Sequence, residues 1–441
     1  MRRRDVLSLA AAALGGALAL DPARAFGLGR TPLAGKVRLS LPLAIRSLDP
    51  HDVTDPLAAL FAHALFDTLI VHSKVGFAPG LAETLPQREG AAVVLKLRSG
   101  LRTAQGKALD GRDVIASLKR AKARGASAII DPIGLPTVSP KDPWTLFFSK
   151  GSPSTAIVAL ASPLCAIVSR DFDPKTPDGT GAFGATLKEG LLTLTRNESA
   201  AMGPSFLDSI VVSQAADLRD SLRNFEVGRE DVGWLGTGLF QGRPEADRFD
   251  LGTVATFVLV ASASAGPLAK PGALQKLVDD IPRAAMGHLG LGPLQAGSSS
   301  AAYDGPPIDL WVEPSLHFEE IADAIATSLS SKDHELTIRK ASRGDIAARR
   351  ARGESMLSLH AIRPLGTAAL NQHAGLALIE DPTRTTLSVK GTNPREIAKS
   401  MRVAVVGDLR VAGGKAPELV FVQHPKGGWD LTVSRVKKKP A

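Results

Sequence analysis

The chain of 441 residues has room for two or three domains, and 44% hydrophobic with 22% charged residues is the balance of a folded protein, which excludes wholesale disorder. A formal net charge of +9 raises nucleic acid or an anionic surface as a partner, while 15 Phe, 4 Trp and a single Tyr leave few rings to stack sugars or bases. One cysteine, Cys165, excludes an intrachain disulfide and any site built from several thiolates.

The first 25 residues read as an export signal. Arg2-Arg3-Arg4 precedes an apolar run from Val6 to Leu20, and Ala23-Arg24-Ala25 is the small-x-small pattern cut by signal peptidase. The run is too short to span a bilayer, and the arginine pair directly before it matches the twin-arginine type, so cleavage is expected after Ala25 and the mature chain is expected in the periplasm. Processing removes four Arg and two Asp, leaving +7, in a compartment without nucleic acid. No cysteine stands near the cut to carry a lipid.

In the mature chain, Lys36 to Leu41 alternates as a strand with one buried face, and a turn follows at Ser47-Leu48-Asp49-Pro50-His51. Asp55-Pro56 supplies an N-cap and a first-turn proline for a helix with Leu57, Leu60, Phe61, Ala64 and Leu65 on one face. Val93–Leu97 reads as a strand. A second helix starts at Asp110, carries Val114, Ile115 and Leu118 on one side, and stops at Gly125. Trp144–Phe148 is a further strand. The stretch from Ser169 to Gly181, crowded with Asp, Pro, Thr and Gly, marks a crossing between units. Strands at 191–195 and 210–212 precede a helix with Leu218, Leu222 and Phe225 that ends before Gly228.

From Ile308 the pattern alternates: strand 308–312, a helix with Phe318, Ile321, Ala322, Ile325 and Leu329, strand 336–338, a short Arg-rich helix from Asp345, and strand 356–359. That alternation predicts a mixed or parallel α/β sheet. Ala296 to Ala302 reads as a loop or linker, and Lys437-Lys438-Lys439 as a solvated end.

Chemical motifs are scarce. Gly179-Thr180-Gly181-Ala182-Phe183-Gly184 fits a dinucleotide fingerprint as a string, but Pro174 and Pro177 precede it and an alternating strand follows, so it is read as a tight turn. Gly236-Thr237-Gly238 and Gly290-Leu291-Gly292 have the wrong continuation. The nine histidines form no HExxH and no close pair on a helical face, so neither a metal nor a cofactor is expected. With no GxSxG elbow and no phosphate loop, and Cys165 inside an apolar run, an enzyme is not expected.

One succession of segments points to a family. Ser47-Leu48-Asp49-Pro50 is followed by Leu65-Phe66-Asp67-Thr68-Leu69-Ile70, then Phe77-Ala78-Pro79-Gly80-Leu81-Ala82-Glu83, then Val94 to Arg102, then Ala108 to Ala121, and last Gly179-Thr180-Gly181-Ala182-Phe183. In this order, over residues 36–235, the chain resembles the family 5 extracellular solute-binding proteins, the peptide-, nickel- and opine-binding subunits of ABC importers. The resemblance implies a periplasmic-binding-protein-like α/β fold of two lobes with an extra inserted domain. Residues 26–72, 175–255 and 400–441 would form the first lobe, 73–174 the inserted domain, and 256–399 the second lobe.

It also implies a monomer that carries a small-molecule or peptide ligand to membrane permease subunits. The turn at Leu48-Asp49-Pro50 approaches the cleft in this family, making His51 and Asp52 candidate contacts; the glycine turn at 179–181 corresponds to the return from the inserted domain and is expected to be structural. Where peptide-binding relatives carry a Gly-Trp pair and an Asp for the ligand's amino group, this chain reads Leu359-His360-Ala361-Ile362-Arg363-Pro364-Leu365-Gly366. His360 and Arg363 would there favour an anionic group. The alternative is a degenerate relative that acts as an envelope interaction protein without transport, suggested by the ring-poor second lobe.

Overall fold

The computed structural model describes residues 34–437 apart from 74, 235–245, 287–288, 293–302, 332, 366–368, 386–392 and 424–428. The export signal, the Gly236-Thr237-Gly238 string, the 296–302 loop, Gly366, His288, His424 and the last residues of the lysine tail lie outside the described residues.

Ten strands follow one another across a single mixed sheet, in the order Leu336–Lys340, Ile308–Val312, Met356–Ile362, Asp247–Ala261, Val403–Lys415, Val232–Trp234, Lys36–Leu41, Ser209–Gln214, Leu191–Arg196 and Phe183–Lys188; an eleventh, Leu291–Gly292, pairs beside Val403–Lys415. Lys36–Leu41 runs parallel to Ser209–Gln214, and Ile308–Val312 runs parallel to both of its neighbours. The mixed sheet expected from strand–helix alternation is therefore present.

Two long antiparallel strands join the halves of this sheet. Asp247–Ala261 pairs with Val403–Lys415 from Asp247 opposite Lys415 to Val260 opposite Val403. Its C-terminal part, from Thr256, also pairs with Met356–Ile362, whereas the far end of Val403–Lys415 pairs with Val232–Trp234. The register shifts at Asp250/Thr253, Thr253/Ala255 and Phe257/Val258, where one half gives way to the other. Such irregularities bend a strand and increase its twist.

Both faces of these strands are covered. Phe257, Leu259 and Ala261 belong to one apolar cluster, with the Pro56–Leu65 and Leu316–Leu329 helices; Val258 and Val260 belong to a second. This accounts for the unbroken apolar run Phe257 to Ala261, which period-two patterning does not reveal. The second cluster also holds the core of a separate four-stranded sheet, Gln87–Glu89, Ala92–Lys96, Asp142–Phe148 and Thr137–Ser139.

Local signals act where the sequence places them. The Asp55 side chain accepts from the Leu57 and Ala58 amides at the head of Pro56–Leu65. Asp110 and Asp113 form a reciprocal cap on Gly111–Ala121. Gly125 ends that run with φ +102°, a conformation that favours glycine. The Arg-rich helix begins earlier than expected, at Arg343, because Ser342 accepts from the Asp345 amide; Asp345 lies in the first turn instead of starting the helix.

The 179–184 glycines, read as a tight turn, instead form a bend over residues 180–182, and Phe183 and Gly184 already belong to the strand Phe183–Lys188. A Cβ on Gly179 would collide with the Leu65 carbonyl oxygen, and one on Gly181 would stand 2.5 Å from that of Ala64. These glycines let the returning chain lie against the end of the Pro56–Leu65 helix. Cys165 is buried, and Tyr303 is a core residue whose hydroxyl donates to the Pro306 carbonyl at 2.7 Å, so the chain's one tyrosine is occupied in packing.

Candidate functional site

The turn Asp49–Asp55 meets the far half of the sheet through a set of buried charges. Arg120 grips Asp49 with both terminal nitrogens, at 2.7 and 2.8 Å, and Arg124 adds a contact at 2.9 Å. The Asp49 carboxyl is held below its usual range: burial alone would raise it, but the hydrogen bonds and charge of Arg120, reinforced by Arg124, outweigh that. Both arginines come from the end of the Gly111–Ala121 helix and the turn after it.

His51 stands inside this arrangement. Its Nε2 is 2.8 Å from the Ala166 carbonyl oxygen, which can only accept, so Nε2 carries the proton and Nδ1 accepts from Arg120 at 2.8 Å. Burial, together with the nearby guanidinium groups, lowers its pKa to about 4. His51 is thus a neutral, fully engaged spacer. It lines neither of the two cavities below.

Asp55 carries the contact across the halves. Besides capping its helix, its Oδ2 accepts from the Asp49 amide at 3.0 Å and from Arg343 Nη2 at 3.3 Å. Arg343 also donates to Ser47 Oγ at 3.1 Å and pairs with Glu313 at 3.6 Å. Burial opposes the charge on Arg343, but Asp55, Glu313 and Asp52 together hold its pKa above the ordinary arginine value. Sequence reasoning missed Arg343; the signal it offered was helical spacing, since Arg343, Ile346, Ala347 and Arg350 fall at i, i+3, i+4 and i+7 on one face.

Arg363 makes a second crossing. Its amide donates to the Val53 carbonyl at 3.0 Å and its Nη1 to the Pro50 carbonyl at 3.0 Å, while its Nε has no hydrogen-bond partner among the described residues. Burial lowers its pKa to about 10, against the pull of Asp55, Asp52 and Asp49. A third polar crossing is Ser315 Oγ donating to the Pro42 carbonyl at 3.1 Å.

Two cavities flank this seam. One, of about 290 Å³, lies between Asp52–Thr54, the Ala123–Gly125 turn, the Arg343–Arg350 helix face, His360 and the Leu378–Pro382 segment. A smaller one, of about 140 Å³, is lined by the Pro56–Leu65 helix, Asp67, His72, Trp429 and Arg363. The four residues singled out in sequence therefore separate: Asp52 and His360 share the larger cavity, Arg363 lines the smaller, and His51 is internal. Asp52 Oδ1 accepts from the Thr54 amide at 2.8 Å and hydroxyl at 2.7 Å. His360 is bonded to Ser358 Oγ at 2.9 Å, and burial, with Arg350 and Arg343 nearby, lowers its pKa to about 3.

No group of His, Cys, Asp and Glu among the described residues could hold a metal ion. No helix among them is long and apolar enough to cross a membrane.

No family model and no curated protein matches the sequence. Solved structures do match the fold. The pheromone receptor PrgZ, described with its mode of peptide binding, superimposes with a TM-score of 0.67 at 14% identity, over 92% of this chain and all, 100%, of that one. The ABC transporter-associated periplasmic binding protein DppA from Helicobacter pylori, in complex with a peptide, gives 0.65 at 14% identity, over 92% of this chain and 99% of that one. NikA from Staphylococcus aureus, in complex with a nickel–histidine compound, gives 0.61 at 15% identity, over 89% and 97%. The likeness establishes the fold, the two-lobe periplasmic-binding-protein architecture that the sequence resemblance implies, and the proteins that share it are binding proteins rather than enzymes.

Proposed function

We propose that the chain is the substrate-binding component of an ABC importer, of the family 5 extracellular solute-binding type. It binds a small solute between two lobes and delivers it to permease subunits in the inner membrane, with no covalent chemistry. The observation that carries this reading is the 290 Å³ cavity at the seam, walled from both halves of a sheet that only two long, irregular strands join. Ligands of a hinged pair of lobes sit at such seams, because closure there buries the ligand on both sides.

On this reading residues 26–72, 175–255 and 400–441 form the first lobe, 73–174 the inserted domain and 256–399 the second lobe. The register shifts near Thr253–Val258 then supply the hinge, and Arg343 latches the closed form. The chain is exported through a twin-arginine signal cut after Ala25 and works as a periplasmic monomer without nucleic acid. The +7 of the mature chain is then a general surface property.

Native mass spectrometry of protein purified from its own periplasm tests the reading, since a tightly held solute identifies itself by mass. A broad panel of peptides, amino acids, metal complexes and organic acids should contain members that raise the melting temperature and compact the protein in X-ray scattering. A protein that carries nothing and is neither stabilised nor compacted by any of them overturns the reading.

A further inference from the structure

The 290 Å³ cavity is unevenly charged. Three guanidinium groups line it, from Arg124, Arg343 and Arg350, against one carboxylate, that of Asp52. Two of the three have partners: Arg124 pairs with Asp49, and Arg343 with Asp55 and Glu313. Arg350 does not. Its Nη1 is buried with no hydrogen-bond partner among the described residues. The nearby Glu380 is taken up by Arg384 and Arg402. Burial, and after it the charge of Arg402, lower the Arg350 pKa against the pull of Asp381 and Glu380. His360 is neutral and adds no positive charge.

We infer that this cavity takes a compact organic anion, a carboxylate on a small apolar body, with the carboxylate on Arg350 and the body against Ile346, Leu378 and Pro382. The inference rests on the solute-binding reading and names its ligand class. A guanidinium nitrogen buried without an acceptor, as Nη1 of the half-buried Arg350 is, is costly, and a planar carboxylate matches the guanidinium's fork of donors. The apolar side chains opposite give no partner to further polar groups. A volume of about 290 Å³ lies at the small end of ligand pockets, which disfavours a long peptide. A peptide's amino group would find only Asp52, one of whose oxygens already accepts two bonds from Thr54.

Titration calorimetry of the purified, processed chain with hexanoate, phenylacetate and benzoate, each against its amide and the matching primary amine, tests this. At least one carboxylate should bind, with its amide and amine weaker by about tenfold or more, as expected for a charge-assisted hydrogen bond in a dry site. Arg350→Gln should lose that preference while keeping the melting temperature of the ligand-free parent; the acid-against-amide comparison on the parent stands even where that variant folds poorly. Equal binding of acid and amide, tighter binding of the amine, or an unchanged acid preference in Arg350→Gln overturns the inference. If the carboxylates fail while a peptide or metal complex stabilises the protein, the ligand class is wrong and the solute-binding reading stands. If no compound of any class binds, both fall.

Discussion

Replacing Arg343 by Met removes the one guanidinium that faces two buried carboxylates across the seam. Asp55 is 1% exposed at its side chain and Glu313 14%, so neither is rescued by solvent when its partner leaves. Breaking a buried pair from one side costs about 3–5 kcal/mol; because Arg343 itself keeps 20% exposure, the lower figure of about 3 kcal/mol applies. At about 2.1 cal/mol/K of unfolding entropy per residue, a chain of this size loses about 3 °C in Tm.

The loss carries a pH signature. Burial already raises the Asp55 carboxyl, and without the guanidinium it rises further. An acid whose folded pKa lies above its unfolded value binds a proton that the unfolded chain lacks, so stability is gained as pH falls through the folded value. The deficit of Arg343→Met relative to the parent should therefore shrink between about pH 7 and about pH 5, measured by urea unfolding of both proteins in matched buffers. The double variant Arg343→Met with Asp55→Asn should recover part of the loss, since asparagine keeps the helix cap without the charge. A variant within about 1 kcal/mol of the parent at neutral pH, or a deficit that widens on acidification, would refute the reasoning.

Arg363 should behave oppositely: it has only carbonyl partners and an orphaned Nε, so Arg363→Met is expected to change the unfolding free energy by less than about 1 kcal/mol, and a loss of more than about 3 kcal/mol would contradict this. His360, with a folded pKa of about 3, stays neutral while the unfolded chain takes up a proton below about pH 6.5, so stability is lost as pH falls from there; His360→Gln should recover about 2 kcal/mol of the parent's loss between about pH 7 and about pH 5. An acid sensitivity identical to the parent's would place the effect elsewhere. Gly181→Ala forces a Cβ against the Ala64 carbonyl and should cost about 2 kcal/mol or more in urea unfolding, with unchanged stability counting against the close packing.

Much of the framework was legible because its signals are local. Period two gave Lys36–Leu41, period 3.6 gave Pro56–Leu65, and Asp55 and Asp110 announced their helices as caps. The site was legible only in part, because its pairs are made at long range. Asp49 finds Arg120 over 71 positions and Asp55 finds Arg343 over 288, and nothing within a short window marks either partner. His51 illustrates this: the resemblance makes it a candidate cleft contact, while the chain near Ala166, more than a hundred positions on, covers it and accepts its hydrogen bond. The long joining strands escaped for a different reason, since a strand buried on both faces loses the alternation by which strands are recognised.

On the proposed reading, the Arg343–Ala351 helix would tie ligand class to closure. Arg343 and Arg350 stand seven positions apart, two turns along one face, so the side chain that latches the first lobe and the one that awaits a counter-charge move as a single rigid piece. In an open form the whole Arg350 guanidinium would be hydrated; in a closed form without an anion its Nη1 would be buried and unpaired, which would weaken the closed form by that desolvation. A carboxylate on Arg350 removes the penalty only when the lobes are together, and a ligand shifts such an equilibrium by its differential affinity for the two forms and no more. On that reading the Arg350 guanidinium, with its Nη1 unpartnered, would act as a check on closing without cargo, while the Asp55–Arg343 pair, already satisfied within the protein, would set how tightly the loaded form is held. Filling the position of Arg350 with an uncharged side chain would then remove the check and the ligand's grip together, which would make closure and specificity properties of one helix face.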